Sequence, residues 1–258
     1  MNRVEISRRQ ILAGLTAASA ALAARLTRLL AQSRGQTFVL VHGAWHGGWC
    51  WKKVTPLLIS AARQVHAPTL TGLGERSHLL TPDINLKTHI DDVTSLFHYE
   101  DIADVVLVGH SYGGMVVAGA APAVASRLAR VIYLDAFLPD DGKALQDYVQ
   151  LSASGDAWRL PPPGKPPRFG VRDPDDVAWM EARLTDQPRK TMTEPVRVSA
   201  DISGRVPHTY ILCSKSSHFV AAAERAKQRG FSYRELLSAG HDAMISQPAE
   251  LAKLLLED

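Results

Sequence analysis

The chain has 258 residues, 46% of them hydrophobic and 21% charged. That balance suits one large α/β domain and excludes a disordered, collagen-like or coiled-coil chain. The formal charge is +3, but six of the 29 basic residues and one of the 26 acids fall in residues 1–35, leaving 23 bases against 25 acids beyond them. That remainder gives no electrostatic case for a nucleic-acid partner.

In chain order, the first feature is Arg8 and Arg9 ahead of an apolar or small-residue run, Ile11–Ala24, with A-x-A sites at Ala18–Ala20 and Ala21–Ala23. Paired arginines before a run too short to span a bilayer predict a twin-arginine export leader over residues 1–35, and with it a periplasmic or secreted protein. No stretch of 18 uninterrupted apolar residues follows, so no stable membrane insertion is expected. Residues 36–258 read as the folded domain. Thr37–Val41, Asp104–Val108, Arg130–Leu134 and Thr209–Cys213 are continuous apolar, β-rich runs, and Tyr233–Leu237 is a further strand-like stretch. Runs without alternation suit strands covered on both faces. Helical patterns lie between and after them, at Trp51–Ala62, Leu86–Glu100, Tyr112–Ala125, Ala221–Arg229 and Pro248–Leu256. The alternation predicts a mostly parallel, doubly wound sheet with helices on both faces, its functional groups on loops at the strands' carboxyl ends. Residues 139–205 break the rhythm with repeated prolines and a short helical stretch, Pro174–Leu184, and read as a helical, Pro-rich cap inserted between two core strands. The two cysteines, Cys50 and Cys213, form no disulfide framework and are expected as free buried thiols.

Three motifs carry chemistry. Gly109–Gly113 has the pattern G-x-S-x-G between a strand and a small-residue helix, a setting that lifts a hydroxyl above the sheet and makes Ser111 the candidate nucleophile. The Gly-rich stretch His42–Trp49 follows the first domain strand. There the backbone amide of Ala44, with that of Tyr112, could face a developing oxyanion. His42 and His46 stand four apart, but in a loop without a third-ligand pattern, so no metal site is expected and His42 is read as a brace for the loop. Near the C-terminus, His241 lies on the loop after the last strand, where it could serve as general base and then general acid.

From Thr37 onward the chain resembles the α/β-hydrolase-fold serine esterases. It is similar to the branch of plant methylesterases and hydroxynitrile lyases and to bacterial esterases close to them. The residues that carry the likeness are Phe38–Trp51, Gly109–Gly114 and Gly240–Met244. Thr69–His78, Leu184–Pro188 and Thr193–Pro195 add to it. The resemblance implies hydrolysis of small carboxylic esters through an acyl-enzyme, a small-molecule ester as partner, and no metal or organic cofactor. In the plant branch the acid of the triad follows the strand equivalent to Tyr210–Cys213, where this chain has Ser214–His218 and no carboxylate. Some α/β hydrolases place that acid on the strand after the nucleophile helix, which here ends at Asp135. Asp135 is therefore the first candidate. Asp242, another acid and a bare Ser–His dyad are the alternatives, with the Asp242 side chain expected to face solvent or cap the Ala243–Ile245 turn.

Amide or carbamate hydrolysis would use the same machinery. A hydroxynitrile lyase of this branch would have Thr at Gly43 and Lys at Asp242, and a haloalkane dehalogenase would have Asp at Ser111. A small-molecule receptor on the hydrolase scaffold is the alternative of a different class. Trp45, Phe137, Trp158, Trp179, Met180 and Met244 are the candidates for an apolar substrate pocket.

Overall fold

The computed structural model describes residues 36–151, 158–163, 169–199 and 202–257; the leader expected over residues 1–35 lies outside them. The strands are β1 (Thr37–Val41), β2 (Gln64–His66), β3 (Val105–His110), β4 (Leu128–Leu134), β5 (Arg159–Leu160), β6 (Gln187–Pro188), β7 (His208–Cys213) and β8 (Ser232–Leu236). The helices are α1 (Thr55–Ser60), α2 (Leu86–Tyr99), α3 (Gly113–Val124), α4 (Pro174–Glu181), α5 (Lys190–Thr193), α6 (Ile202–Arg205), α7 (Val220–Gln228), α8 (Ala243–Ser246) and α9 (Pro248–Leu256). Six strands form one parallel sheet in the order β2-β1-β3-β4-β7-β8, and β5 pairs with β6 antiparallel in the segment between β4 and β7.

The continuous apolar strands resolve into a strict two-residue alternation once the faces are separated. Val39, Leu107, Val131 and Tyr210 lie in the core on one face, with Phe97 of α2, Met115 and Val117 of α3, and Ala222 and Ala226 of α7. Phe38, Leu40, Val106, Val108, Ile132 and Ile211 lie in the core on the other, with Leu58 of α1, Ile245 of α8 and Leu251 and Leu255 of α9. The central strands are apolar over most of their length because both faces are covered. Residues Trp51–Ala62, expected as one helix, divide into a 3-10 turn over Gly48–Trp51 and α1. Cys50 and Cys213 are free and buried.

Register sets up the site. Val41 of β1 pairs with Gly109 of β3, His110 of β3 with Leu134 of β4, and Leu134 with Ile211 of β7. The three loops that leave β1, β3 and β4 therefore start side by side, at the carboxyl edge where parallel sheets of this kind bind ligands.

Candidate active site

Ser111 occupies the turn between β3 and α3 with φ of 54°. A non-glycine residue held left-handed costs on the order of 1–3 kcal/mol and persists only where its surroundings over-determine it. Here Ser111 N donates to Leu134 O at 3.3 Å, and Ser111 O accepts from Gly114 N at 3.0 Å and Phe137 N at 3.1 Å. The turn is tight enough that a Cβ at Gly113 would stand 2.8 Å from Val41 O. Trp45 (φ 65°) and Asp135 (φ 41°) are also left-handed, so each of the three adjacent loops carries one such residue.

Asp135 is fully buried at the end of β4. Its Oδ2 lies 2.6 Å from His241 Nδ1, and its Oδ1 accepts from Cys213 N at 3.2 Å. The carboxylate thus sits against the end of β7, although its backbone directly follows β4. With Nδ1–H given to Asp135, the His241 Nε2 is left to face the cleft chemistry. Burial pulls the His241 pKa down, but the hydrogen bond to Asp135, the Asp135 charge and the Asp242 charge outweigh it, and the pKa is raised above its ordinary value.

Ser111 and His241 line one cleft of about 1550 Å³ with Ala44 and Tyr112. Among the described residues, the backbone amides of Ala44 and Tyr112 donate to no protein acceptor. Both residues are anchored from behind. The Tyr112 hydroxyl donates to His89 Nδ1 at 2.8 Å, and His89 Nε2 donates to Thr71 O at 2.9 Å. Burial lowers the His89 pKa to about 4, so the ring is neutral and can accept from the phenol. Ala44 O accepts from His46 Nδ1 at 2.7 Å. His42 braces the loop as expected: its Nδ1 donates to Gly43 O at 2.8 Å and its Nε2 accepts from Leu70 N at 3.0 Å. Both nitrogens being committed, the ring has no lone pair for a metal, and burial takes its pKa down to about 3. His110, His241 and Asp242 bring potential ligand atoms within 4.8 Å of one another; His110 Nε2 donates to His241 O and His241 Nδ1 to Asp135, while His110 Nδ1 and Asp242 Oδ1 have no hydrogen-bond partner among the described residues.

Of the apolar candidates, Trp45 and Phe137 line the cleft. The others are not among the described residues that line it. Met244 and Met180 are fully buried in the core beneath the sheet, Trp179 packs edge-on to Trp49, and Trp158 lies under the Arg159 guanidinium. Phe219, which stacks on His241 with ring centroids 5.0 Å apart, and Tyr148 line the cleft instead. Asp242 departs from the expected placement. Its side chain neither faces solvent nor caps α8; it is fully buried, with Oδ2 3.0 Å from His46 Nε2. The roles of His89 and Asp242 were not drawn from the sequence.

Residues 38–254 match the alpha/beta hydrolase family. The chain is 36% identical over 236 residues to a carbendazim-hydrolysing esterase from Nocardioides sp. (strain SG-4G), covering 84% of this chain and 97% of the relative. It is 30% identical over 253 residues to methylesterase 7 of Arabidopsis thaliana, with 85% and 95% of the two chains covered. Its fold is similar to that of an extracellular alpha/beta-hydrolase from a Paenibacillus species, with a TM-score of 0.73 at 20% identity over 86% of this chain and 98% of the other. The parallel sheet, the strained turn at Ser111 and these matches along nearly the whole domain place the chain in the alpha/beta hydrolase family, to which it belongs.

Proposed function

We propose that this protein is a serine hydrolase that cleaves small carboxylic esters through an acyl-enzyme. The observation that carries the reading is one cleft shared by a left-handed Ser111 and a His241 whose Nδ1 is held 2.6 Å from buried Asp135. Ser111 Oγ attacks the ester carbonyl carbon while its proton passes to His241 Nε2. The amides of Ala44 and Tyr112 hold the oxyanion, and Asp135 stabilises the imidazolium. Collapse of the tetrahedral species breaks the bond to the alkoxy group, which leaves as alcohol with the proton from His241. Water then gives a proton to His241 and attacks the acyl carbon, and the acid departs as Ser111 regains its proton. Trp45, Phe137, Tyr148 and Phe219 supply apolar walls suited to a small acyl or alkyl group. The relatives named as esterases support ester bonds as the substrate class.

The test is turnover of aryl, alkyl and carbamate esters by the wild type and by Ser111→Ala. Ester cleavage abolished in Ser111→Ala is expected. Turnover of carbamates or amides alone would shift the reading to that leaving group, and ligand binding without any turnover would make the chain a receptor.

We further propose that residues 1–35 direct export to the periplasm by the twin-arginine route. The support is Arg8 and Arg9 ahead of the Ile11–Ala24 run. A reporter fused after residue 35 is expected to cross the inner membrane, and Arg8→Lys with Arg9→Lys to stop it. Unchanged export of the double variant would point to the general secretory route.

A further inference from the structure

The loop that carries His241 is tied to the rest of the site by a buried cluster that the reaction just described does not use. His46 Nδ1 is 2.7 Å from Ala44 O, and a carbonyl only accepts, so that nitrogen carries a proton. His46 Nε2 is 3.0 Å from Asp242 Oδ2, so a second proton lies between ring and carboxyl. Burial opposes ionisation of Asp242, yet the charges and hydrogen bond of His46, with His110 and His241 nearby, hold its carboxyl below the usual range. Both side chains of the pair are almost completely buried.

The pair joins two loops that are 196 residues apart in sequence. At one end is Ala44, whose amide faces the oxyanion position. At the other is the peptide that follows His241. The same loop is held by His110 Nε2 donating to His241 O at 3.0 Å and by Asp242 N donating to Phe169 O at 2.8 Å. The His46 ring is fixed in turn, stacked on Trp49 and met edge-on by Phe169, each at 5.3 Å between centroids. The second oxygen, Asp242 Oδ1, has no hydrogen-bond partner among the described residues and lies 3.7 Å from His110 Nε2. A buried His–Asp pair with an unsatisfied carboxylate oxygen is a poor device for stability alone, since apolar residues of like volume often do as well or better. Its geometry fits alignment of reacting groups.

We propose that Asp242 is a positioning residue: through His46 it locks the oxyanion-hole loop to the His241 loop, and its charge favours the protonated base during turnover. The proposal rests on the serine-hydrolase reading above. The groups that face Asp242 are His46 from the loop after β1, His110 from the end of β3, His241 on its own loop, Cys50 from the 3-10 turn and Cys213 from the end of β7.

The experiment compares Asp242→Ala, Asp242→Asn, His46→Ala and the double alanine variant in the full chain, each checked by thermal unfolding. Ser111→Ala is the control for the parent reading. Asp242→Ala is expected to lower kcat by about 10²-fold with KM nearly unchanged, as misalignment remote from the reacting atoms does. His46→Ala should match it, and the double variant should be no worse than either single one. Asp242→Asn can donate its amide to His46 Nε2 while His46 Nδ1 keeps Ala44 O. It is expected to recover most of kcat, with the acid limb of kcat/KM moved to lower pH by loss of a negative charge facing His241. A folded Asp242→Ala with kcat within about threefold of wild type would overturn the proposal, as would additive losses in the double variant. If the alanine variants do not fold, the asparagine variant decides: an unmoved acid limb overturns it. Esterase activity surviving in Ser111→Ala would instead overturn the parent reading.

Discussion

Asp135 shows how a single left-handed residue can move a functional group from one strand to its neighbour. Its φ of 41° turns the carboxylate from the end of β4 onto Cys213 N at the end of β7, where it meets His241. Asp135→Asn is expected to leave the fold intact and lower kcat by about 10⁴, the cost seen when a triad Asp is so replaced in a serine protease; kinetics on protein with an unchanged melting profile would check it. The raised His241 pKa sets a pH dependence of known sign. As base the ring must be neutral, so kcat/KM should fall with decreasing pH through an apparent pKa above 6.5. The same shift contributes stability that is complete below 6.5, the ordinary value, and fades as pH rises through the folded value. A pH–rate profile whose acid limb lies below 6.5 would contradict this. The strain at Ser111 gives a third expectation. Ser111→Gly and Ser111→Ala both lack the hydroxyl, but the glycine variant should be the more stable by about 1 kcal/mol, the reverse of the usual order, because only glycine adopts φ of 54° without cost. Asp135 was legible because strand order and the missing acid after β7 both pointed to it. Asp242 was misread because its partner, His46, lies far away in sequence, and only the packed fold shows that the side chain after His241 turns inward.

At the scale of elements, the central strands and the helices around them were readable from apolar runs and their spacing. The edge strand β2 was not: it is three residues long and none of them is fully buried. Nor was the β5–β6 pair, two residues a side, one of them a proline. Cleft and core draw on the same apolar residue types, and for that reason Trp158, Trp179 and Met244 could not be told from Phe219 and Tyr148 before packing was known. The segment between β4 and β7 was marked by its prolines, but its grip on the site lies in one polar side chain. Gln187 is fully buried; its Oε1 accepts from Trp45 N at 3.1 Å and its Nε2 donates to Thr191 Oγ1 at 2.6 Å. Thr185 N donates to Trp45 O at 3.0 Å alongside it. Gln187→Ala should therefore destabilise the protein by about 1–3 kcal/mol through the orphaned partners, and should lower kcat as the loop bearing Ala44 loosens. Calorimetry with steady-state kinetics tests both; a lower melting temperature with unchanged kcat would assign Gln187 to stability alone.

For the whole molecule, a parallel sheet with a packed core on each face leaves one edge, at the carboxyl ends of β1, β3, β4, β7 and β8, to carry chemistry. Ser111, Asp135, the Ala44 loop and the His241 loop all leave that edge, held in place by the two cores. Ser111 is the proposed nucleophile of this assembly. The most direct measurement is reaction of the full chain with a fluorophosphonate, followed by mass mapping of the adduct and assay of the remaining esterase activity. One adduct on Ser111, formed in step with loss of activity and absent from Ser111→Ala, is the predicted result; inactivation with the adduct on another residue would contradict it.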